Sequence, residues 1–182
     1  MALRAALPAI LGLLIAGSAP LLARVFLTVD EALKLAFPGC QVARRTAYLT
    51  AAQMKGARDL AAVEIPSALV TYYAAARDGK LIGTAYFDTH RVRTLPETVM
   101  VVVDPQGKVG RVEVISFEEP EQYLPRGAWY GQFGGKGLDP ELDLKRGIHP
   151  VTGATLTARA TTEAVRRVLA LHQVIAGKAA VP

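Results

Sequence analysis

From Ala5 to Ala23 the chain runs nineteen residues without a charge, and only after Arg24 do polar and apolar positions take up the rhythms of helix and strand. Two helix starts stand out. Thr28-Val-Asp-Glu31 and Thr50-Ala-Ala-Gln53 are capping boxes, in which a hydroxyl and a carboxylate or amide three residues apart satisfy free helix N–H groups reciprocally. The first predicts a short helix through Ala32, Leu33 and Ala36 that stops at Phe37-Pro38-Gly39. The second predicts a helix to about Ala62, weakened at Gly56 by about 1 kcal/mol relative to alanine. From Ser67 the period shortens to that of strands. Residues 68–76 and 80–88 flank Arg77-Asp78-Gly79-Lys80, where Asp-Gly signals a tight hairpin. Residues 98–103 and 108–117 flank Asp104-Pro105-Gln106-Gly107, a second turn. A helical pattern returns with Thr161, Ala164, Val165, Val168, Leu169 and His172 on one side and Arg159, Glu163, Arg166 and Arg167 on the side expected to face solvent, with Gly177 as its stop. Two consecutive hairpins with helices at both ends predict an α+β domain: an antiparallel sheet of consecutive hairpins, flanked by helices that cover one face.

Two stretches escape both periods. Phe117 to Gly137 is crowded with aromatic and glycine residues (Tyr123, Trp129, Tyr130, Phe133, Gly134-Gly135-Lys136-Gly137) and reads as a loop shaped for contact. The plain reading of any one ring there is a lid over the core; together they suit one wall of a flat ligand. The second stretch, Val151-Thr152-Gly153-Ala154-Thr155-Leu156-Thr157-Ala158-Arg159, sets hydroxyls on small-residue backbone just before the last helix. Gly153 and Ala154 leave room for close approach, and the helix start offers free N–H groups and a positive dipole end, so a phosphate could be held there. Thr155 or Thr157 could equally serve as an N-cap, worth about 1 kcal/mol.

Composition narrows the chemistry. The single cysteine, Cys40, allows no internal disulfide, and no C-x-x-C-H or paired-cysteine spacing is present for haem, iron–sulfur or zinc. His90, His149 and His172 are far apart and read as surface or helix residues, so no metal is expected. The net charge of +5 is scattered over Arg44-Arg45, Arg91, Arg93 and Arg166-Arg167 with no interleaved aromatics, which argues against nucleic acid and fits an anionic surface or acidic partner. No paired carboxylates or nucleophile–base spacing mark an independent catalytic site.

The run Thr152-Gly153-Ala154-Thr155 resembles the S/T-G-A-T signature of the FMN-binding domain family, whose last threonine carries FMN through a phosphoester. The likeness widens upstream to about residues 65–175. The covalent-FMN subunits of the sodium-translocating NADH:quinone reductase and the Rnf-type complexes have, in order, a Glu-Thr-Pro-Gly-Leu-Gly loop, a tryptophan, a Gln-Phe-x-Gly-Lys segment and the signature. Here the order is Glu119-Pro120, Trp129, Gln132-Phe133, Gly135-Lys136 and Thr152 to Thr155. Two departures stand out: Glu118-Glu-Pro-Glu-Gln-Tyr123 replaces the glycine-rich loop, and His149 stands where the family signature has an aspartate recognised by the flavin transferase.

The resemblance implies FMN as cofactor, attached at Thr155. Thr152, Gly153, Ala154, Thr157 and Arg159 would surround the phosphate, with Lys136 a further cation for it, and Glu119 and Trp129 would meet the ring. It also implies a flavin transferase for maturation and redox partner proteins at a membrane. The function expected is electron relay in a membrane-associated redox chain; a flavin-dependent reductase of a small substrate, or a flavin-free subunit that keeps the fold, are the alternatives. Residues 1–23 are expected to be a signal peptide or an uncleaved anchor, with Arg4 as the positive flank, which places the folded part in the periplasm or on the outer face of the cytoplasmic membrane. A helical segment over 24–64 and an FMN-binding domain over 65–177 would follow.

Overall fold

The computed structural model describes residues 24–179; the expected export or anchor segment lies outside them. Six strands form one antiparallel sheet in the order β1-β6-β5-β4-β3-β2: β1 (Arg24–Val25), β2 (Gln41–Tyr48), β3 (Leu69–Arg77), β4 (Lys80–Arg91), β5 (Pro96–Val103) and β6 (Val109–Phe117). The α+β class and the consecutive hairpins are as the pattern implied. The β3–β4 turn places Asp78 and Gly79 at positive φ (50° and 75°), the geometry that Asp-Gly supplies readily. In the β5–β6 turn the Asp104 carboxylate accepts from the N–H groups of Gln106 and Lys108, while Gly107 takes φ 77°.

Both capping boxes are formed. Thr28 and Glu31 start α1 (Val29–Ala36), and Thr50 and Gln53 start α2 (Ala51–Ala61), each with the side-chain and backbone bonds reciprocated. The long helix α4 (Thr155–Ala179) passes through Gly177 instead of ending there, because a glycine costs a helix only about 1 kcal/mol and forces no stop by itself.

β2 was not foreseen. It is an edge strand whose residues are nearly all exposed, so no alternation of buried and open positions betrays it. It pairs with β3 over its whole length, from Gln41 opposite Ala76 to Tyr48 opposite Leu69. With β1 at the opposite edge, the 24–64 stretch supplies both edge strands as well as two helices.

The sheet carries a core on each face. Alternation along β5 sends Val99, Val101 and Val103 to the side where α2 and α4 pack, and Met100 and Val102 to the side where Leu33 of α1 and Phe37 just past its end meet Ala75, Ala85 and Ile115. The expectation of a single covered face is corrected by α1. A strand buried at successive residues has apolar side chains to hide on both faces. The irregular segment is also more regular than expected: a 3-10 turn (Glu121–Tyr123), one turn of helix, α3 (Gly127–Tyr130), and a second 3-10 turn (Gly131–Phe133).

Candidate functional site

The turn that delivers Thr155 is built tightly from below and left open above. Gly153 takes φ 84° with open space where a Cβ would stand, and the Ala154 N–H closes the turn on the Val151 carbonyl at 3.1 Å. Neither threonine caps the helix. The Thr155 hydroxyl donates to the Val151 carbonyl (3.2 Å), and the buried Thr157 hydroxyl donates to the Tyr123 carbonyl (2.6 Å). The cap reading is thus replaced: among the described residues the N–H groups of Thr155, Leu156 and Thr157 have no acceptor, and Thr155 itself is exposed. The helix presents free donors and its positive dipole end at an accessible hydroxyl.

The loop leading into this turn is gripped through one residue. The His149 N–H donates to the Gln132 side-chain oxygen (2.9 Å), and its carbonyl accepts the Trp129 indole N–H (2.7 Å). Gln132 is held in turn by the Trp129 carbonyl (3.2 Å). The His149 imidazole is left exposed at the surface. Trp129 is only 8% exposed and packs edge-on against Tyr130 and Phe133, with ring centroids 5.0 and 5.3 Å away. A ring so enclosed presents no open face. It sits in the core and braces the backbone before the signature. Tyr123 is the more open aromatic, with the Arg93 guanidinium stacked 4.7 Å from its centroid.

Glu119 and Lys136 have protein partners of their own. One oxygen of Glu119 accepts from the N–H groups of Arg93 (3.2 Å), Thr94 (2.6 Å) and Leu95 (2.8 Å) and from the Thr94 hydroxyl (3.2 Å), so this carboxylate shapes the β4–β5 turn. Burial opposes its ionisation, but these donors prevail and hold its pKa below the usual carboxylate value. The Lys136 amine sits beside Gly147, and Lys136 is not among the residues around Thr155.

The residues that do surround Thr155 form a recess of about 340 Å³ between α4 and the 143–150 loop. Arg159, one helical turn after Thr155, lines it together with Lys145, Leu144, Pro150, Asp143 and Glu163. Sequence reasoning found Arg159 and missed Lys145, which reaches the recess only because the intervening loop folds back. Arg166, expected on a solvated face, donates to the carbonyls of Ala61, Asp139 and Leu142 at 2.8–3.1 Å and ties that loop to α4 and α2.

A buried polar network lies deeper under α4, and sequence reading missed it. His90, expected at the surface, is held in β4 with Nδ1 3.0 Å from Asp88 and Nε2 2.9 Å from Glu97, its opposite residue on β5. Glu97 is fully buried and also accepts from the Thr161 hydroxyl (3.0 Å) and the Tyr130 hydroxyl (3.4 Å). Arg167 grips Asp88 with two bonds of 2.7 and 3.1 Å. Burial works to lower the His90 pKa, but hydrogen bonds to Asp88 and Glu97 and their charges overcome it and raise the value to about 9. Asp88 stays low because the His90 and Arg167 bonds outweigh its burial. The available signal was period two: Asp88 and His90 share a face with Tyr86, and the hairpin register sets Glu97 across from His90.

Compared with known families, residues 95–170 match the FMN-binding domain. Residues 95–170 belong to that family. No similar curated protein was found. The FMN-binding domain thus spans β5, β6, the helical turns, the signature and the first part of α4. Its cofactor is FMN, and the site fits the phosphate end of that molecule: the exposed Thr155 opens into a recess that also holds Lys145 and Arg159, at a helix start with free N–H donors that follows an open glycine.

Proposed function

We propose that this flavoprotein is exported, carries FMN in phosphoester linkage to Thr155 and relays electrons in a membrane-associated redox chain. The observation that carries the reading is the uncapped start of α4, where the exposed Thr155 stands beside helix N–H groups that have no acceptor among the described residues. FMN supplies the ability to exchange electrons singly or in pairs. The chain's own residues hold and orient it: the Thr155 to Thr157 N–H groups and Arg159 attract the phosphate, Gly153 keeps the approach clear, and Trp129 with Gln132 fixes the backbone leading in. Export is supported by the uncharged Ala5–Ala23 run between Arg4 and Arg24. A covalent tether would suit a protein outside the cytoplasm, where released cofactor is lost by dilution.

A flavin transferase is the maturation partner in this reading, and a membrane-associated redox protein is the electron partner. Intact mass of protein produced with a transferase tests the linkage: an FMN increment on wild type and none on Thr155→Ala is expected, whereas flavin retained through denaturation in that variant would refute it. His149 occupies the aspartate position of the signature with its side chain free at the surface, where a transferase could meet it. His149→Asp should therefore raise the flavinylated fraction when transferase is limiting. Equal occupancy by mass spectrometry at matched expression would remove that role from position 149.

A further inference from the structure

The loop over residues 139–148 is more elaborate than a connection needs. The Asp139 carboxylate accepts from the N–H groups of Glu141 and Leu142. Gly147 donates to the Glu141 carbonyl, Ile148 donates to that of Asp143, and Lys145 donates to that of Ile148 (2.9–3.1 Å). Arg166 clamps the loop from behind through two of its carbonyls. At its tip Lys145 takes φ 68°, a left-handed conformation that is unfavourable for a non-glycine residue and persists only where the surroundings impose it. A glycine would adopt it freely, yet a lysine stands there.

We infer that Lys145 and Arg159 are the two arms of a clamp for the cofactor's phosphate, the loop having been built to bring Lys145 to the recess into which Thr155 opens. This rests on FMN being held at Thr155. A phosphate diester at that position carries one negative charge. Lys145 and Arg159 are both exposed cations that form no salt bridge among the described residues, so their charge is available. Of the other charges of the recess, Asp143 lies near Arg146 (3.9 Å) and Arg166 donates to carbonyls, which leaves Glu163, one turn beyond Arg159, as the remaining carboxylate that lines it. Lys136, by contrast, is placed beside Gly147 and lies outside the recess. The clamp leaves the Thr155 to Thr157 N–H groups to meet the remaining phosphate oxygen from below.

The test uses the full chain made with and without a flavin transferase. In the loaded protein, phosphorus NMR and the rate of cleavage by an added phosphodiesterase report on the ester. Lys145→Gln and Arg159→Gln should each move the resonance toward that of a free diester and speed cleavage roughly tenfold, the scale of one lost hydrogen bond to a charged group. Lys145→Arg should keep wild-type values. Lys145→Gly should behave as Lys145→Gln while melting no lower than wild type, since glycine relieves the left-handed backbone; this separates loss of the clamp from loss of fold. In the unloaded protein, FMN titrated by calorimetry should bind roughly tenfold more weakly to Lys145→Gln. Wild-type resonance and cleavage in a loaded Lys145→Gln protein would overturn the clamp and leave the Thr155 linkage standing. Absence of an FMN mass increment on wild type refutes the linkage alone, and equal FMN affinity of Lys145→Gln and wild type then overturns the clamp as well.

Discussion

The first turn of α4 and the turns that follow it use the same residue types to opposite ends. At Thr155 to Thr157 the helix leaves three N–H groups without acceptors, and beside Thr155 the recess holds Arg159 and the loop residue Lys145, which form no salt bridge among the described residues. From Thr161 to Arg167 the polar side chains that are not exposed are engaged: Thr161 on Glu97, Thr162 on the Ala158 carbonyl, Arg167 on Asp88, Arg166 on three carbonyls. No buried side-chain nitrogen or oxygen among the described residues lacks a partner. A satisfied network carries structure, because leaving any member unpaired in a low-dielectric interior is costly. Unsatisfied donors survive only where water or a ligand can reach them. The difference marks the deep part of α4 as structural and, on the proposed function, its first turn as the part left free to bind.

The largest effect should come from the network. Glu97→Ala leaves the His90–Asp88–Arg167 group with uncompensated buried charge and should cost about 3–5 kcal/mol by urea unfolding; a loss under about 1 kcal/mol would show that water or a rearranged partner replaces Glu97. The pH dependence follows from His90. Its folded pKa of about 9 lies above the ordinary 6.5, so its contribution is fully present below pH 6.5 and is lost as pH rises through about 9. Stability should fall by on the order of 2–3 kcal/mol across that window, and a flat profile between pH 6 and 9.5 would mean that the imidazole is not held as a cation.

Trp129→Leu sharpens the border between the two regions, because Trp129 is core by burial but serves the site through His149. A loss of about 2 kcal/mol is expected from the smaller side chain and the missing indole bond, with flavin fluorescence little changed. A marked rise in fluorescence with little loss of stability would restore Trp129 as a wall for the ring. Thr155→Ala should be the mildest for the fold, within about 0.5 kcal/mol by thermal melting, since it removes only an exposed hydroxyl bond. A drop of several degrees would show that the open turn is held together by that hydroxyl.

How much could be read beforehand depended on the range of the interactions. Both capping boxes, both hairpin turns and the signature before α4 are local chemistry, resolved within four residues, and stand in the chain as the structure has them. Thr152 to Thr155 could therefore be singled out from sequence, as could Arg159 at a helical spacing. The edge strand β2 could not, because burial imposes no pattern on residues that face solvent on both sides. Glu119 and Lys136 were placed by an ordered motif, but order along the chain does not say which way a side chain turns. Trp129 needed its neighbours to show that both faces of the ring are covered.

By itself the sequence determined the α+β class, the helix starts, the turns and the threonine that stands open at a helix end, all of which follow from steric and hydrogen-bonding preferences of a few adjacent residues. The tertiary structure alone decided that His90 meets Glu97, that Arg166 braces a loop 24–27 residues earlier in the chain and that Lys145 joins Arg159 beside Thr155. Those pairings come from strand register and loop closure, in which long-range packing chooses among many arrangements that the local chain permits equally.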